Sequence, residues 1–273
     1  FDLFEEVYSG GSAPVSMSTG FADVDHLLSG WRRSCLYYIA ARPGIGKTSL
    51  LLNFAQLASV QGKRTLFFSL EMSRIELIAR LLTALGISSQ EARTFKIAEE
   101  RWPALADAVS QVSEYHLLID DTPAQTVEVV RSKAIRAQER YGVDLIMLDY
   151  IQLMNGSGGR AENRNAEISY ISRNLKALAK ELNCPVLVAS QLSRAVEMRA
   201  DRRPQLSDLR DSGSLEQDAD AVIFPHRDPR VQPTPQQPIL PAQLLVAKHR
   251  HGPTGDVRVG WYPERFAFVP LVK

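Results

Sequence analysis

The chain has 273 residues, 45% of them hydrophobic, with 32 basic side chains against 31 acidic ones. That length suits one large α/β domain or two small ones, and so even a charge balance leaves nucleic-acid binding to be argued from local clusters alone. No apolar run is long enough to span a bilayer, no signal peptide heads the chain, and Cys35 and Cys184 read as buried thiols of a reducing compartment. The expectation is a soluble cytoplasmic protein with no membrane partner. Because it begins at Phe1, it is also expected to be a fragment of a longer protein.

Residues 1–8 form a short amphipathic segment with Phe1, Phe4 and Tyr8 on one side, followed by the flexible Gly10-Gly11-Ser12-Ala13-Pro14. This divides the chain into a helix and linker at 1–14 and a domain at 15–273. A short helix ended by Gly30 comes next, and then the apolar run Cys35-Leu36-Tyr37-Tyr38-Ile39-Ala40.

The stretch Ala41-Arg42-Pro43-Gly44-Ile45-Gly46-Lys47-Thr48 joins that predicted strand to a predicted helix beginning at Ser49. Strand, tight loop and helix form the context a phosphate-binding loop requires. Gly44 and Gly46 let backbone N–H groups converge on one point, and the helix N-terminus adds its dipole. Lys47 can then reach the β- and γ-phosphates, and the Thr48 hydroxyl can ligate Mg²⁺. The candidate nucleotide-binding residues are Arg42, Pro43, Gly44, Ile45, Gly46, Lys47, Thr48 and Ser49. Ala41 stands where the motif usually has its first glycine.

Arg64–Leu70 reads as a buried strand with Glu71 at its carboxyl end. In an open parallel sheet that end faces the ligand crevice, so Glu71 can polarise a water; equally, it can serve the N-cap region of the next helix. Residues 73–114 read as largely helical packing, with Ile75, Leu77, Ile78, Leu81, Leu82, Leu85, Trp102, Leu105 and Val109 as its apolar side chains. A strand at 115–120 and a helix at 126–141 follow. Asp144-Leu145-Ile146-Met147-Leu148-Asp149 is a buried strand with an acid at its tip, about a hundred residues after the phosphate loop. There Asp149 would orient the cation near Thr48. A Gly-rich basic loop at 155–164 precedes a helix with Ile168, Ile171, Leu175, Leu178 and Leu182 in line. The strand Pro185–Ser190 ends at Gln191, again on the crevice side.

Five arginines then fall within seventeen residues, Arg194, Arg199, Arg202, Arg203 and Arg210, which suggests phosphate contacts. A strand at 220–224, an exposed connection from Pro225 to Pro241 with six prolines, a strand at 243–248 and a terminal hairpin complete the chain. The alternation predicts an α/β fold: a mostly parallel central sheet flanked by helices, with an antiparallel C-terminal edge.

Seven blocks together resemble the C-terminal motor domain of DnaB-type replicative DNA helicases, within the RecA-like P-loop ATPases. They lie at 19–25, 41–48, 69–72 (Ser-Leu-Glu-Met), 149–154 (Asp-Tyr-Ile-Gln-Leu-Met), 190–194, 206–220 and 247–255 (Ala-Lys-His-Arg-His-Gly-Pro-Thr-Gly). The resemblance implies a RecA-like fold, ATP and Mg²⁺ as cofactors, and hydrolysis at the subunit interfaces of a hexameric ring that tracks on single-stranded DNA. It also implies a primase and a helicase loader as partners. Among the catalytic positions, Glu71 would be the base, Asp149 the Mg²⁺ acid, Gln191 the sensor linking γ-phosphate to the DNA loops, and Lys248 and Arg250 cations inserted into a neighbour's site. Arg194, Arg210, Asp211 and Gly213 would hold DNA, and residues 1–8 would be the linker helix docked on the adjacent protomer. The chain departs from the family pattern at Asp211, where glutamate is usual, and at Phe224-Pro225-His226-Arg227, to which no role is carried over. Two other readings stand beside this one: a recombinase of the RecA or RadA kind, against which the 206–220 block speaks, and a non-hydrolysing loader or clamp component, against which intact Lys47, Thr48, Glu71 and Asp149 speak.

Overall fold

The computed structural model of the chain describes residues 16–94, 96–156, 164–209 and 213–271. The segment 1–14, including the expected linker helix, lies outside them, as do Arg210 and Asp211. Nine strands form one sheet in the order β3-β2-β4-β5-β1-β6-β7-β8-β9. The strands are β1 (Leu36–Ala41), β2 (Thr65–Ser69), β3 (Leu117–Asp120), β4 (Leu145–Asp149), β5 (Val186–Gln191), β6 (Ala221–His226), β7 (Leu240–His249), β8 (Gly255–Tyr262) and β9 (Ala267–Pro270). The first six pair in parallel, and β7 to β9 run antiparallel at the C-terminal edge, as expected.

The parallel strands other than β3, which lies half-buried at the edge, are buried on both faces, which is why they read as continuous apolar runs rather than as alternating patterns. Successive side chains of β1 part company: Tyr37 and Ile39 enter one core cluster, Leu36, Tyr38 and Ala40 the other. The first cluster takes in α1 (Ala22–Leu28) and the long helix α2 (Lys47–Val60), with Phe54 edge-on to both Trp31 and Phe21. In the second, Val127, Val130 and Ala134 of α6 (Val127–Tyr141) pack with Ile168, Ile171, Leu175 and Leu178 of α7 (Arg164–Glu181). Each of the valine, leucine, isoleucine and phenylalanine side chains among them contributes about 1.5–3 kcal/mol on removal from water.

The helical stretch that carries α3 (Arg74–Ala84), α4 (Ser89–Thr94) and α5 (Trp102–Ser113) packs on fewer residues than its composition suggests. Leu77, Leu81 and Leu82 are buried, whereas Ile75 is 66% exposed, Trp102 55%, and Ile78 and Val109 also face outward. The helices are amphipathic, and the sequence reading assigned apolar residues of both sides to the core. Further along, β6 absorbs Pro225 and β7 absorbs Pro241, so the exposed proline-rich connection is confined to 227–239.

One buried acid fastens three elements. Asp220, just before β6, accepts hydrogen bonds from the Leu36 N–H at 2.7 Å and from Lys176 Nζ of α7, and pairs with Arg250 beyond β7 at 3.4 Å. Removing the carboxylate strands a half-buried ammonium and a backbone donor. Asp220→Ala is therefore expected to cost about 3 kcal/mol, read as a lowered urea midpoint. Arg131→Ala, which cuts the exposed pair with Glu181 between α6 and α7, should leave the midpoint within error.

Candidate active site

The parallel register brings the carboxyl ends of β1, β2, β4, β5 and β6 to one edge of the sheet. Ala41 lies opposite Gln191 and Ser69 opposite Asp149. From β1 the chain turns through Arg42–Gly46 into α2. Gly44 and Gly46 adopt φ of +78° and +118°, conformations that disfavour any residue with a Cβ. Gly46 is also confined sterically, since an added Cβ would lie 3.0 Å from Phe268 and 3.2 Å from Trp261. Ala41 at the first motif position is an ordinary strand residue, so its methyl is accommodated. Its carbonyl accepts a hydrogen bond from Lys47 Nζ at 3.3 Å.

A cleft of about 640 Å³ opens over this loop, with Lys47, Thr48, Glu71 and Gln191 in its wall. Beneath it Thr48 Oγ1 donates to Asp149 Oδ2 at 2.6 Å, while Asp149 Oδ1 is buried without a partner. A fully buried carboxylate oxygen with nothing to accept from is costly; a hydrated Mg²⁺ held between Thr48 and Asp149 would supply the missing donor, so these residues fit the cation. Burial pushes the Asp149 carboxyl above the usual carboxylate range, against the Thr48 hydrogen bond and the Lys47 charge. Burial likewise pulls the Lys47 ammonium below its ordinary value, while the charges of Asp149 and Glu71 hold it up.

The two readings of Glu71 separate on geometry. The N-terminus of α3 is closed by a capping box of Ser73 and Glu76: Ser73 N–H donates to Glu76 Oε2 at 2.8 Å and Glu76 N–H to Ser73 Oγ at 3.3 Å. With the cap supplied by others, Glu71 is left exposed on the cleft wall.

The same cleft holds residues that sequence reasoning did not assign. Arg227, at the end of β6, donates from Nη2 to Gly44 O at 2.6 Å and from Nε to Ile45 O at 3.2 Å, and its guanidinium stacks 5.0 Å from the Trp261 ring centroid. Arg80 of α3 lies over Phe266 at 5.6 Å. Pro229, Val231, Gln232 and Pro233 bring the proline-rich connection onto the rim. The signal for Arg227 was its place at a strand end, the same rule that singled out Asp149 and Gln191.

Lys248 and Arg250 stand elsewhere. Because β7 runs antiparallel to β6, its end lies beside Ala221 and Val222, at the edge of the sheet away from the phosphate loop. Lys248 Nζ donates to Glu216 O, and Arg250 Nη2 to Gln217 O at 2.6 Å, both carbonyls in the last turn of α9 (Gly213–Asp218). Arg250 has already left the strand, in the turn after His249. Burial and the adjacent Arg250 charge pull the Lys248 ammonium down.

Of the proposed DNA contacts, Arg194 is exposed at the start of α8 (Ala195–Met198), and Gly213 is exposed with open space where a Cβ would stand. Arg199 and Arg203 of the basic stretch are held in ion pairs with Asp208 and Asp256. Cys35, Asp220 and His251 place ligand-type atoms within 4.8 Å of one another, yet Asp220 is already neutralised by Lys176 and Arg250, so the group reads as an ion-pair node. Among the described residues no helix is long and apolar enough to cross a membrane.

The contacts of Arg227 predict that Arg227→Ala weakens nucleotide binding about tenfold, since charge-assisted bonds that orient the loop are worth roughly 1.5–3 kcal/mol each and part of that is recovered by water. Titration with a fluorescent ATP analogue checks this; an unchanged dissociation constant would remove Arg227 from the site.

Residues 16–270 match the family described as DnaB-like helicase C terminal domain. The chain is 42% identical over 273 residues to the replicative DNA helicase DnaB of Geobacillus stearothermophilus, covering 99% of this chain and 60% of that protein. With the replicative DNA helicase DnaC of Bacillus subtilis it shares 41% identity at the same coverages. It thus spans about 60% of the length of these curated relatives. Among solved structures, a chain described as an ATPase domain superposes with a TM-score of 0.90 at 36% identity, covering 99% of this chain and 96% of that one. A DnaB-like replicative helicase described with its primase interactions gives a TM-score of 0.87 at 36% identity, over 99% of this chain and 65% of that one. The RecA-like fold is common ground between sequence, geometry and relatives, and the chain belongs to the DnaB-like helicase C-terminal domain family.

Proposed function

We propose that residues 15–273 are the ATP-hydrolysing motor of a replicative DNA helicase, preceded by a linker at 1–14. In this reading the motor works in a hexameric ring, tracks on single-stranded DNA, and meets primase and a helicase loader. The observation that carries it is a half-built site: the cleft has a phosphate loop, an acid for a cation and a free carboxylate, while the cation pair Lys248 and Arg250 sits at the opposite edge of the sheet. Placed there, the pair does not face this copy's own cleft; in this reading it leaves the α9 carbonyls and Asp220 to serve a neighbouring copy's nucleotide. The neighbour described with primase supports that partnership for this chain by analogy.

The roles follow from chemistry. Converging N–H groups of Gly44–Thr48 and the Lys47 ammonium hold the β- and γ-phosphates. Glu71, exposed and unpaired among the described residues, accepts the proton of the attacking water. The Gln191 side chain, half-buried at the tip of β5, reaches for the γ-phosphate. Mg²⁺ bound at Thr48 and Asp149 would neutralise phosphate charge and orient the triphosphate. A neighbour's Arg250 would balance the charge that spreads over the transferring phosphoryl group. Exposed Arg194, with Arg210, Asp211 and Gly213, would grip the DNA backbone without reading bases.

If Glu71 is the base, Glu71→Gln binds ATP normally and turns over about 10²–10⁴-fold more slowly; wild-type turnover would eliminate it. For the shared site, Arg250→Ala should keep ATP affinity and lose about 10³–10⁵ in rate. Mixing it with Lys47→Ala protein should restore some hydrolysis, because mixed assemblies contain interfaces with both halves intact. Full turnover by Arg250→Ala, or turnover independent of protein concentration down to the monomer, would overturn the shared site. Unlimited stoichiometry along DNA would instead favour a recombinase filament.

A further inference from the structure

We propose that Gln152 is a positioning residue that ties the nucleotide-sensing tip of β5 to the start of α7, so that ATP and DNA occupancy are linked through it. The inference rests on the reading of the chain as a DNA-tracking ATPase. Gln152 lies in the 3-10 turn Ile151–Leu153 that follows β4, and its side chain turns toward β5. Its Nε2 donates to Ser190 Oγ at 3.0 Å and to Gln191 O at 3.4 Å, and its Oε1 accepts from the Gln191 N–H at 3.1 Å. Both ends of one amide are thus spent on the residue whose side chain lines the cleft, Gln191, and on the residue before it.

The backbone of Gln152 is held from the other direction. Arg164, the first residue of α7, donates from Nη2 to Gln152 O at 2.7 Å and to Met154 O at 3.2 Å, and pairs with Glu167, which also takes the Gly156 N–H. Residues 152–156, which lead into the Gly-rich stretch, are therefore bonded to β5 on one side and to the first turn of α7 on the other. Past Gln191 the chain is bonded in turn to the segment before Gly213: Leu192 bridges Leu209, and Ser193 N–H donates to Asp208 O at 2.8 Å. Beyond the tip of β5 the chain thus leads to Arg194 and, through Asp208 and Leu209, toward Gly213, the expected DNA contacts, and Gln152 is the side chain that holds that tip to the start of α7.

The residue type is specific. A primary amide offers an uncharged donor and acceptor in one plane at this reach. Glutamate keeps the acceptor for Gln191 N–H and loses the donor to Ser190; methionine keeps the shape and loses both. Gln152 does not line the cleft, so its loss should act on coupling rather than on phosphate binding. Couplings carried by such links are typically altered about 2- to 30-fold by one substitution.

The test measures steady-state ATPase of the full chain with and without oligo-dT, in wild type, Gln152→Met, Gln152→Glu, Arg164→Met and the Gln152→Met/Arg164→Met double variant. Gln152→Met should keep its KM for ATP and its basal kcat within about twofold while its stimulation by DNA falls by that 2- to 30-fold factor. Gln152→Glu should retain part of the stimulation. Arg164→Met, which leaves the Gln152 amide in place, should show a similar loss, and the double variant should be no worse than the worse single one, because both cut one link. Undiminished stimulation in Gln152→Met, a parallel fall of basal and stimulated rates, or simply additive losses in the double variant would overturn the proposal while leaving the motor reading intact. A wild type that is not stimulated by DNA would overturn the motor reading, and this inference with it.

Discussion

Everything in the cleft depends on the parallel register of five strands. With Ala41 opposite Gln191 and Ser69 opposite Asp149, the phosphate loop and three polar strand ends share one edge of the sheet. Side chains on a strand alternate between faces, so a slip of one residue in β4 would turn Asp149 away from Thr48 and send Leu148 toward it. The register is itself fixed by burial on both faces: each of these strands has a large apolar side chain committed to each of the two cores. The precision of the 2.6 Å contact between Thr48 and Asp149 is thus inherited from packing rather than created locally.

The β6–β7 pair has a different character, because its two ends serve different places. Arg227 at one end braces the carbonyls of Gly44 and Ile45, and Asp220 at the other holds Arg250. Six residues of strand separate them, about 20 Å of extended backbone. At Phe224–Arg227, to which the resemblance carried over no role, the chain supplies a guanidinium with two backbone acceptors and an aromatic face. The proline-rich connection begins there, and its prolines suit an exposed rim that must hold shape without a helix or a strand ladder.

Much of this was legible in the residues. The phosphate loop announces itself because its chemistry is local: two glycines, a lysine and a threonine in fixed order after a strand. Asp149 and Gln191 were found by the strand-end rule, which needs only the assignment of buried strands. Glu71 could not be decided alone, since acids favour both strand ends and helix N-termini; the competing role went to Ser73 and Glu76, whose reciprocal bonds appear only in three dimensions. Arg227 and Gln152 escaped for a related reason. Their partners, Trp261 and the P-loop carbonyls in one case and the tip of β5 in the other, come from distant parts of the chain and leave no periodic trace. Apolar content misled at Ile75 and Trp102, where amphipathic helices show one side to solvent. The density of arginines after Gln191 overstated the free positive charge, because Asp208 and Asp256 each neutralise one of them.

The reversal of β7 has an arithmetic consequence. If the β7 tip serves the next copy's cleft, as proposed, the contact is head-to-tail, and in an open row of such copies the first cleft or the last tip goes unmatched. An open row of n copies has n − 1 complete sites, and only closure supplies the last one. On the proposed reading, admitting a strand of DNA through a gap in a closed assembly would have a definite chemical signature: one catalytic centre would be dismantled for as long as the gap persists. A single antiparallel turn in the sheet would thereby make the number of working centres a direct report on whether the proposed circle is shut.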